Sequence, residues 1–490
     1  MSSDELSMRK ALREKLIKEG INPYPHSVRF KPTPVKDILT RPQLGVKLGV
    51  AGRVAAIRRH GGLTFVDLID DGARIQLMIT KKGIGKERYE WFLKYVDMGD
   101  FINVFGEVMR TRKGELTVRV EDYALITKAL RSPPVKWGHR ILDPEVRYRK
   151  RYLDIMMTPQ VREMLLKRFL LVQEIRKFMW GRGFIEVETP ILQPVYGGAE
   201  ATPFVTHINA LDEDWYLRIS LELYLKRLIV AGYNKVFEIG KNFRNEDIDA
   251  MHNPEFTMME AYEAYADYND MMRLAEDLIS TVAKAVNGTT KTVFRGNEID
   301  LAPPYRRLRF ADALREYAGI DPDEASDDLL KEKLRENHIT LKGGYERGKA
   351  LMKLFDKLIG REHLIQPTFV IDYPASASPL TKPHREDPRY AERFELYIGG
   401  VELANAYTEL NDPVLQEEYF MAEEERRKRG DEEAHPFDWD FVEALQFGMP
   451  PTGGIGVGID RLAMIVLGAD SIKEVIPFPM LKKSGGPKPE

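Results

Sequence analysis

The sequence predicts an α+β protein, a small β-barrel followed by a larger domain of mixed helices and strands. Three observations carry that prediction. The chain has 490 residues, more than one compact core normally holds. Between residues 46 and 127 five short β-rich runs follow one another. From Thr158 onwards helical and strand patterns alternate to the C-terminus.

Composition narrows the function classes. Hydrophobic residues make up 43% and charged residues 30% of the chain, an ordinary globular balance. The 73 basic and 76 acidic side chains leave a formal net charge of -3, so any nucleic-acid contact has to rest on a local patch. The chain has no cysteine, which excludes disulfides, thiolate metal sites and cysteine nucleophiles and fits a reducing compartment. The opening "MSSDELSMRKALREKLIKEG" lacks the apolar core of a signal peptide and reads as a charged helix within an extension over residues 1–45. No apolar run approaches the roughly 18 residues of a membrane span, so a soluble, cytoplasmic protein without membrane association is expected.

The barrel runs are "GVAGRVAAI", "GLTFVDLI", "ARIQLMIT", "DFINVFGEVMRT" and "ELTVRVEDYALI", with turn signals at Asp71-Gly72 and Lys113-Gly114. Five such strands over residues 46–130 suit the OB type, although another small β-domain would show the same pattern. A basic linker follows over residues 131–157, broken by Pro133-Pro134 and Pro144. Its cluster of Arg147, Arg149, Lys150 and Arg151 reads either as a solvated face or as a phosphate-binding patch. Thr158-Pro159 opens a long helix with Val161, Met164, Leu165, Phe169, Val172 and Met179 at helical spacing. Gly181 and Gly183 end it, and "FIEVETPIL" continues as a strand stopped by Pro190. The second domain spans 158–490, with a charged helical insertion over about 311–362 and an expected frayed tail, "KKSGGPKPE".

Three segments carry chemistry. "EFTMMEAYEA", read as a strand, puts Phe256, Met258, Glu260 and Tyr262 on one face. An acid among aromatics is costly there unless it meets a cation. The strand "KVFEIGKNFR" before it ends in Arg244, a planar fork for phosphate or carboxylate, and Phe256 offers a flat face for a base ring. A structural ion pair between Arg244 and Glu246 or Glu260 would explain the same residues. In "RFELYIGGVELANAYTELND", Glu395, Glu402, Asn405 and Glu409 stand in an apolar context that suits a hard cation such as Mg²⁺, and surface pairing is the alternative. The 3,4 spacing of Glu402, Asn405 and Glu409 fits one face of a helix or of a bulged strand. In "PPTGGIGVGIDRLAMIVLG", glycines enter an apolar helix at Asp460-Arg461. That run is neither a phosphate-binding Walker loop nor a dinucleotide fingerprint.

Taken together, these segments resemble the signature motifs of class II aminoacyl-tRNA synthetases. The long helix with "GRGFIEVETP" looks like motif 1, "FRNE" with "HNPEF" like motif 2 and "GIGVGIDRL" like motif 3. "LELYLKRLIVAGYNKVFEIGKNFRNE", "HNPEFTMMEAYEAYADY", "ELANAYTELND", "KALRSPP" and "RYRKRYLD" narrow the resemblance to the lysyl-tRNA synthetases of class II. It covers nearly the whole chain. It implies a five-stranded OB anticodon-binding domain followed by a catalytic domain with an antiparallel sheet flanked by helices.

The resemblance also implies roles. Arg244 would contact the α-phosphate of ATP and the amino-acid carboxylate, and His252 and Arg461 the phosphates. Phe256 and Arg461 would sandwich the adenine, with Glu246, Asn253 and Gly458 completing the nucleotide site. Glu395 and Glu402 would hold Mg²⁺, Glu395 also serving ATP. The Gly198 backbone and Glu222 would take the α-amino group of L-lysine and Asn405 the carboxylate end, while Glu260, Tyr262 and Glu409 would grip its ε-ammonium. Phe65 would stack on the central anticodon base and Gln76 bond its edge, barrel core being the other reading of Phe65. Partners would be ATP, L-lysine and lysine tRNA, and motif 1 implies a homodimer.

Three places depart from the family pattern. Thr202 stands in "GGAEATPF" where a basic residue is common, Ser220-Leu221 stand in "SLELY" where Ala-Pro is usual, and Ala404 stands where Gly is commoner. Ala404 leans towards paralogues that lysylate a protein, which generally lack the barrel. An asparaginyl or aspartyl ligase of the same subclass is disfavoured, because Glu260 and Glu409 would repel an acidic side chain. A silent RNA-binding relative would be expected to lose one of Arg244, Glu402 or Arg461.

Overall fold

The computed structural model describes residues 3–135, 137–341, 344–431, 434 and 436–482. Residues 483–490, most of the expected frayed tail, lie outside them. The chain divides into two compact units, residues 1–163 and 164–490.

The first unit opens with helix Ser3–Lys18. Five strands follow: β1 (Lys47–His60), β2 (Leu63–Asp70), β3 (Ala73–Thr80), β4 (Phe101–Arg110) and β5 (Leu116–Thr127). They close into a barrel in the order β1-β2-β3-β5-β4, with β3 and β5 parallel. The period-two pattern sends Val66 and Leu68, and Ile75, Leu77 and Ile79, inwards. Phe65 and Gln76 therefore face outwards, and Phe65 is half-buried on the barrel wall, not in its core. Helix Lys86–Tyr95, which no sequence signal above announced, inserts Tyr89, Phe92 and Tyr95 into the same core.

The stretch read as a basic linker holds two short helices, Pro144–Arg149 and Arg151–Met157. Pro144 starts the first, its missing N–H costing nothing at that position. Arg147 and Arg151 are buried and both reach the buried Asp154, at 3.2 and 3.1 Å. Those two arginines are thus neither a solvated face nor a phosphate patch.

Residues 164–490 carry β6 (Ile185–Glu186), β7 (Leu192–Gln193), β8 (Phe204–Ile208), β9 (Glu213–Leu217), β10 (Lys235–Phe243), β11 (Glu255–Ala264), β12 (Lys291–Phe294), β13 (Asn297–Asp300), β14 (Arg306–Arg309), β15 (Thr368–Pro374), β16 (Tyr390–Ile398), β17 (Val401–Thr408) and β18 (Thr452–Gly458). Eight of them form one sheet in the order β14-β15-β16-β17-β18-β11-β10-β6. The six central strands are antiparallel as expected, but both edge pairs, β14 with β15 and β10 with β6, are parallel.

One face of this sheet is core. Met259, Ala261, Ile455, Val457, Ala404, Ala406, Phe394 and Leu396 pack there with helices Tyr268–Asn287 and Ile459–Leu467. The insertion is helical, including Asp327–Glu336 and Arg347–Phe355, and forms a second cluster with Val370, Tyr373 and Tyr397 of the sheet. Among the described residues no helix is long and apolar enough to cross a membrane.

Candidate active site

The other face of the sheet is the floor of a cavity of about 410 Å³. β11 puts Phe256, Met258, Glu260 and Tyr262 on this face, as its alternation predicts. β18 lies between β11 and β17, pairing Gly458 with Met258, Gly456 with Glu260 and Gly454 with Tyr262. Three glycines at alternate positions leave the β18 part of the floor without side chains. At Gly454 the opening is obligatory: a Cβ there would meet Glu409 Oε1 at 2.0 Å and the Tyr262 ring at 2.4 Å.

One end of the cavity is cationic and aromatic. Arg244, just past β10, stands 5.2 Å over the Phe256 ring and is steadied by a bond from its Nε to the Ile219 carbonyl. Arg461 donates to the Glu402 carbonyl at 2.8 Å and to His252 Nε2 at 3.2 Å, and Asp249 holds the other ring nitrogen at 2.9 Å. The neighbouring Asp460 is buried and accepts from Arg168 on the long helix at 2.7 Å and from the Thr257 N–H at 2.8 Å. That pair fixes the helix start that carries Arg461. Glu246 lines the cavity and accepts from the Thr202 N–H. Asn253 also lines it, but its amide is tied to the Glu255 carbonyl and the Met480 N–H.

The other end is acidic and buried. Glu260 Oε1 accepts from Ser220 Oγ at 2.9 Å and from the Leu221 N–H at 3.0 Å, and Tyr262 donates to its Oε2 at 3.3 Å. Burial, then the nearby Glu222 charge, push the Glu260 carboxyl up to about 7 despite those donors. Burial pushes Glu409 up to about 8. The Tyr262 phenol is raised well above its usual range by burial and by the three carboxylates, so it stays an O–H donor. Gly198 closes on this group with a positive φ of 84°, and a Cβ there would meet Ser220 and Glu222 within 3.0 Å.

Glu395 and Glu402 occupy the third side. Glu395 accepts from Tyr373 and Tyr397 hydroxyls at 2.9 and 2.8 Å and from Arg393 at 2.6 Å. A register shift decides the position of Glu402. Leu396 pairs with Ala404 but Tyr397 with Glu402, so Leu403 is an extra residue in β17. The bulge brings Glu402 onto the face of Asn405 and Tyr407, which settles the 3,4 spacing as that of a bulged strand. Among the described residues no group of three or more His, Cys, Asp or Glu could hold a metal by itself.

The pattern of the class II tRNA synthetases (D, K and N) matches residues 143–482, and that of the OB-fold nucleic acid binding domain matches residues 49–126. Among curated proteins, the chain is 53% identical to the Lysine--tRNA ligase of Saccharolobus solfataricus over 96% of both chains. It is 49% identical to that of Thermotoga maritima over 97% of both chains. It is 47% identical to that of Methanoculleus marisnigri over 96% of this chain and 93% of the relative. The chain belongs to the class II tRNA synthetases.

In this synthetase the cavity gathers every site residue expected in the catalytic domain: Gly198, Glu222, Arg244, Glu246, His252, Asn253, Phe256, Glu260, Tyr262, Glu395, Glu402, Asn405, Glu409, Gly458 and Arg461. Phe65 and Gln76 belong to the barrel, where Gln76 Oε1 accepts from Thr117 and its Nε2 carries the amide donors. Sequence reasoning missed five contributors. Tyr407 continues the alternation of Asn405 and Glu409, and Gly454 that of Gly456 and Gly458, so both were within reach of a period-two reading. Lys226 stands four residues after Glu222, a helical pairing distance. Ser220 and Leu221, noted as departures, are the donors to Glu260, and alanine and proline at those places would lack the hydroxyl and the N–H.

Proposed function

We propose that the chain is a lysine–tRNA ligase of the cytoplasm, activating L-lysine with ATP and passing the lysyl group to lysine tRNA. The observation that carries this reading is the buried cluster of Glu222, Glu260 and Glu409 with Tyr262, at the far end of the cavity from Arg244 and Phe256. Carboxylates in so dry a place favour a ligand that brings its own positive charges and disfavour an uncharged side chain.

The chemistry follows from position. Phe256 and Arg461 hold the adenine between a ring and a guanidinium, with Glu246, Asn253 and Gly458 around the nucleotide and His252 beside its phosphates. Arg244, at the cationic end yet within electrostatic reach of Glu260, draws the lysine carboxylate and the α-phosphate together. Glu222 and the Gly198 backbone receive the α-ammonium, Asn405 the carboxylate end, and Glu260, Tyr262 and Glu409 the ε-ammonium. The carboxylate oxygen attacks the α-phosphorus in line, pyrophosphate leaves and lysyl-adenylate forms. The terminal ribose hydroxyl of the tRNA then attacks the acyl carbon and releases AMP. Arg244 and Arg461 stabilise the charge that develops, and no protein nucleophile is needed.

Glu395 and Glu402 suit Mg²⁺, because they are hard oxygen donors facing the cavity, and two suffice where phosphates and water supply the remaining ligands. When bound, the ion neutralises charge on the phosphates. Phe65 and Gln76 fit stacking and edge recognition of an anticodon base. Leu166, Phe169, Leu170 and Trp180 on the long helix present an apolar face to solvent, which suits the homodimer expected of motif 1. A protein-lysylating role is disfavoured by the complete barrel. Amino-acid-dependent ATP–pyrophosphate exchange with all twenty amino acids tests the reading. Exchange with lysine alone is expected, and exchange driven by an uncharged or acidic amino acid would refute it.

A further inference from the structure

Lys226 has no part in the mechanism above, yet it is among the most deeply buried charges of the molecule. It lies on helix Glu222–Val230, its side chain fully inaccessible. Its Nζ stands 2.5 Å from Glu222 Oε1 and forms a second ion pair with Glu409 Oε2. Its Nζ also lies 5.9 Å from the ring of Phe441, which belongs to an apolar cluster with Leu223, Leu225, Ile229 and Leu445. If stability alone were at issue, apolar residues in place of the whole ion-paired group would serve at least as well, because a buried ion pair seldom outweighs its desolvation.

The cavity shows what the charge is for. Glu222, Glu260 and Glu409 all line it, and Lys226 does not. The ammonium therefore sits behind the wall and does not occupy the ligand space. Glu409 Oε1, buried and without a hydrogen-bond partner among the described residues, lies against the Gly454 floor, free for a ligand on the side away from Lys226.

Charge counting completes the argument and rests on the lysine pocket proposed above. The other charges near these acids are committed. Arg393 pairs with Glu395. Arg244 stands over Phe256 and is taken up by the substrate carboxylate and α-phosphate in the reading above. Arg227 pairs with Asp438 and Asp440. Tyr262 and Tyr407 are neutral phenols, raised by burial. With a ligand bound and all three acids ionised, three acids less one ammonium leave two negative charges, the number that a diammonium amino acid neutralises. A pocket of three acids alone would take up a proton, and a pocket of two would lose one grip on the substrate.

We propose that Lys226 is a specificity-setting positioning residue, favouring the ionised forms of Glu222 and Glu409 and orienting them from behind the wall so that the pocket matches two substrate ammonium groups. Its own acidity agrees: burial works to lower its proton affinity, but Glu222 and Glu409 outweigh burial and leave it raised.

The test is Lys226→Gln, which keeps hydrogen-bonding capacity and removes the charge. Lys226→Met is the second charge-removing variant, suited to the apolar surroundings if the amide does not fold. Calorimetric lysine binding in buffers of different ionisation enthalpy counts the protons released, and exchange kinetics at pH 6 to 9 give the KM of lysine. Either variant is expected to release about one proton more than the parent on binding lysine. The KM is expected to rise roughly tenfold or more near pH 7, with the excess shrinking as pH rises and kcat largely kept. Lys226→Arg is expected to return the proton count to that of the parent. An unchanged count in a folded charge-removing variant, or a KM raised equally at every pH, would overturn the proposal. If Glu260→Gln and Glu409→Gln also leave the lysine KM unchanged, it is the pocket assignment itself that fails.

Discussion

Replacing Glu260 by glutamine keeps the shape of the acidic end and removes one ionisable oxygen pair. The amide oxygen of Glu260→Gln still accepts from Ser220 and Leu221, and Tyr262 can accept from the amide nitrogen, so the fold loses no bond. The charge term is large. Burial holds the carboxyl at about 7 against an ordinary 4.5, and at ~1.4 kcal/mol per tenfold change in proton affinity that displacement is about 3 kcal/mol. An ε-ammonium that restores ordinary acidity returns this amount on binding, and a neutral amide cannot collect it. The lysine KM in ATP–pyrophosphate exchange is therefore expected to rise roughly a hundredfold.

Stability moves the other way. A carboxyl whose folded proton affinity is raised keeps a proton that the unfolded chain gives up, so its contribution is whole below about 4.5 and declines as pH rises through about 7. Glu260→Gln has no such decline. Its melting temperature relative to the parent should climb between pH 5 and pH 8. A lysine KM within threefold of the parent, or a melting difference that is flat with pH, would refute the reasoning.

Three further outcomes are expected. Ser220→Ala with Leu221→Pro removes both donors to Glu260 Oε1, so the acid limb of the lysine KM profile should move to higher pH with kcat little changed, and an unmoved limb would count against those bonds. Gly454→Ala places a Cβ on Glu409 and Tyr262 and should abolish lysine activation, while calorimetry still detects nucleotide binding at the Arg244 end; retained activation would show that the floor is not closely packed. Phe65→Ala removes a stacking surface worth about 1–3 kcal/mol per base, so tRNA charging should weaken with exchange unchanged, and equal loss of both would place Phe65 in folding instead.

Local periodicity made much of this protein legible. Alternation alone put Phe256, Glu260 and Tyr262 on one face of β11, and the five runs of the barrel and the entry of the glycine strand into the Arg461 helix appear where their patterns lie. These features depend on neighbours two to four residues apart, and such spacing is written in the sequence. What tertiary structure decided depends on residues far apart. The pairing of β16 with β17 inserts the bulge at Leu403 and turns Glu402 to the cavity. Packing of helix Glu222–Val230 brings Lys226 to Glu409, and the Leu221 N–H to Glu260. Asp154 draws Arg147 and Arg151 out of a run that reads as solvated. A residue's type states what charge or shape it can offer. Which charge is left uncancelled inside a dry cavity depends on the sum over partners that only the folded chain assembles.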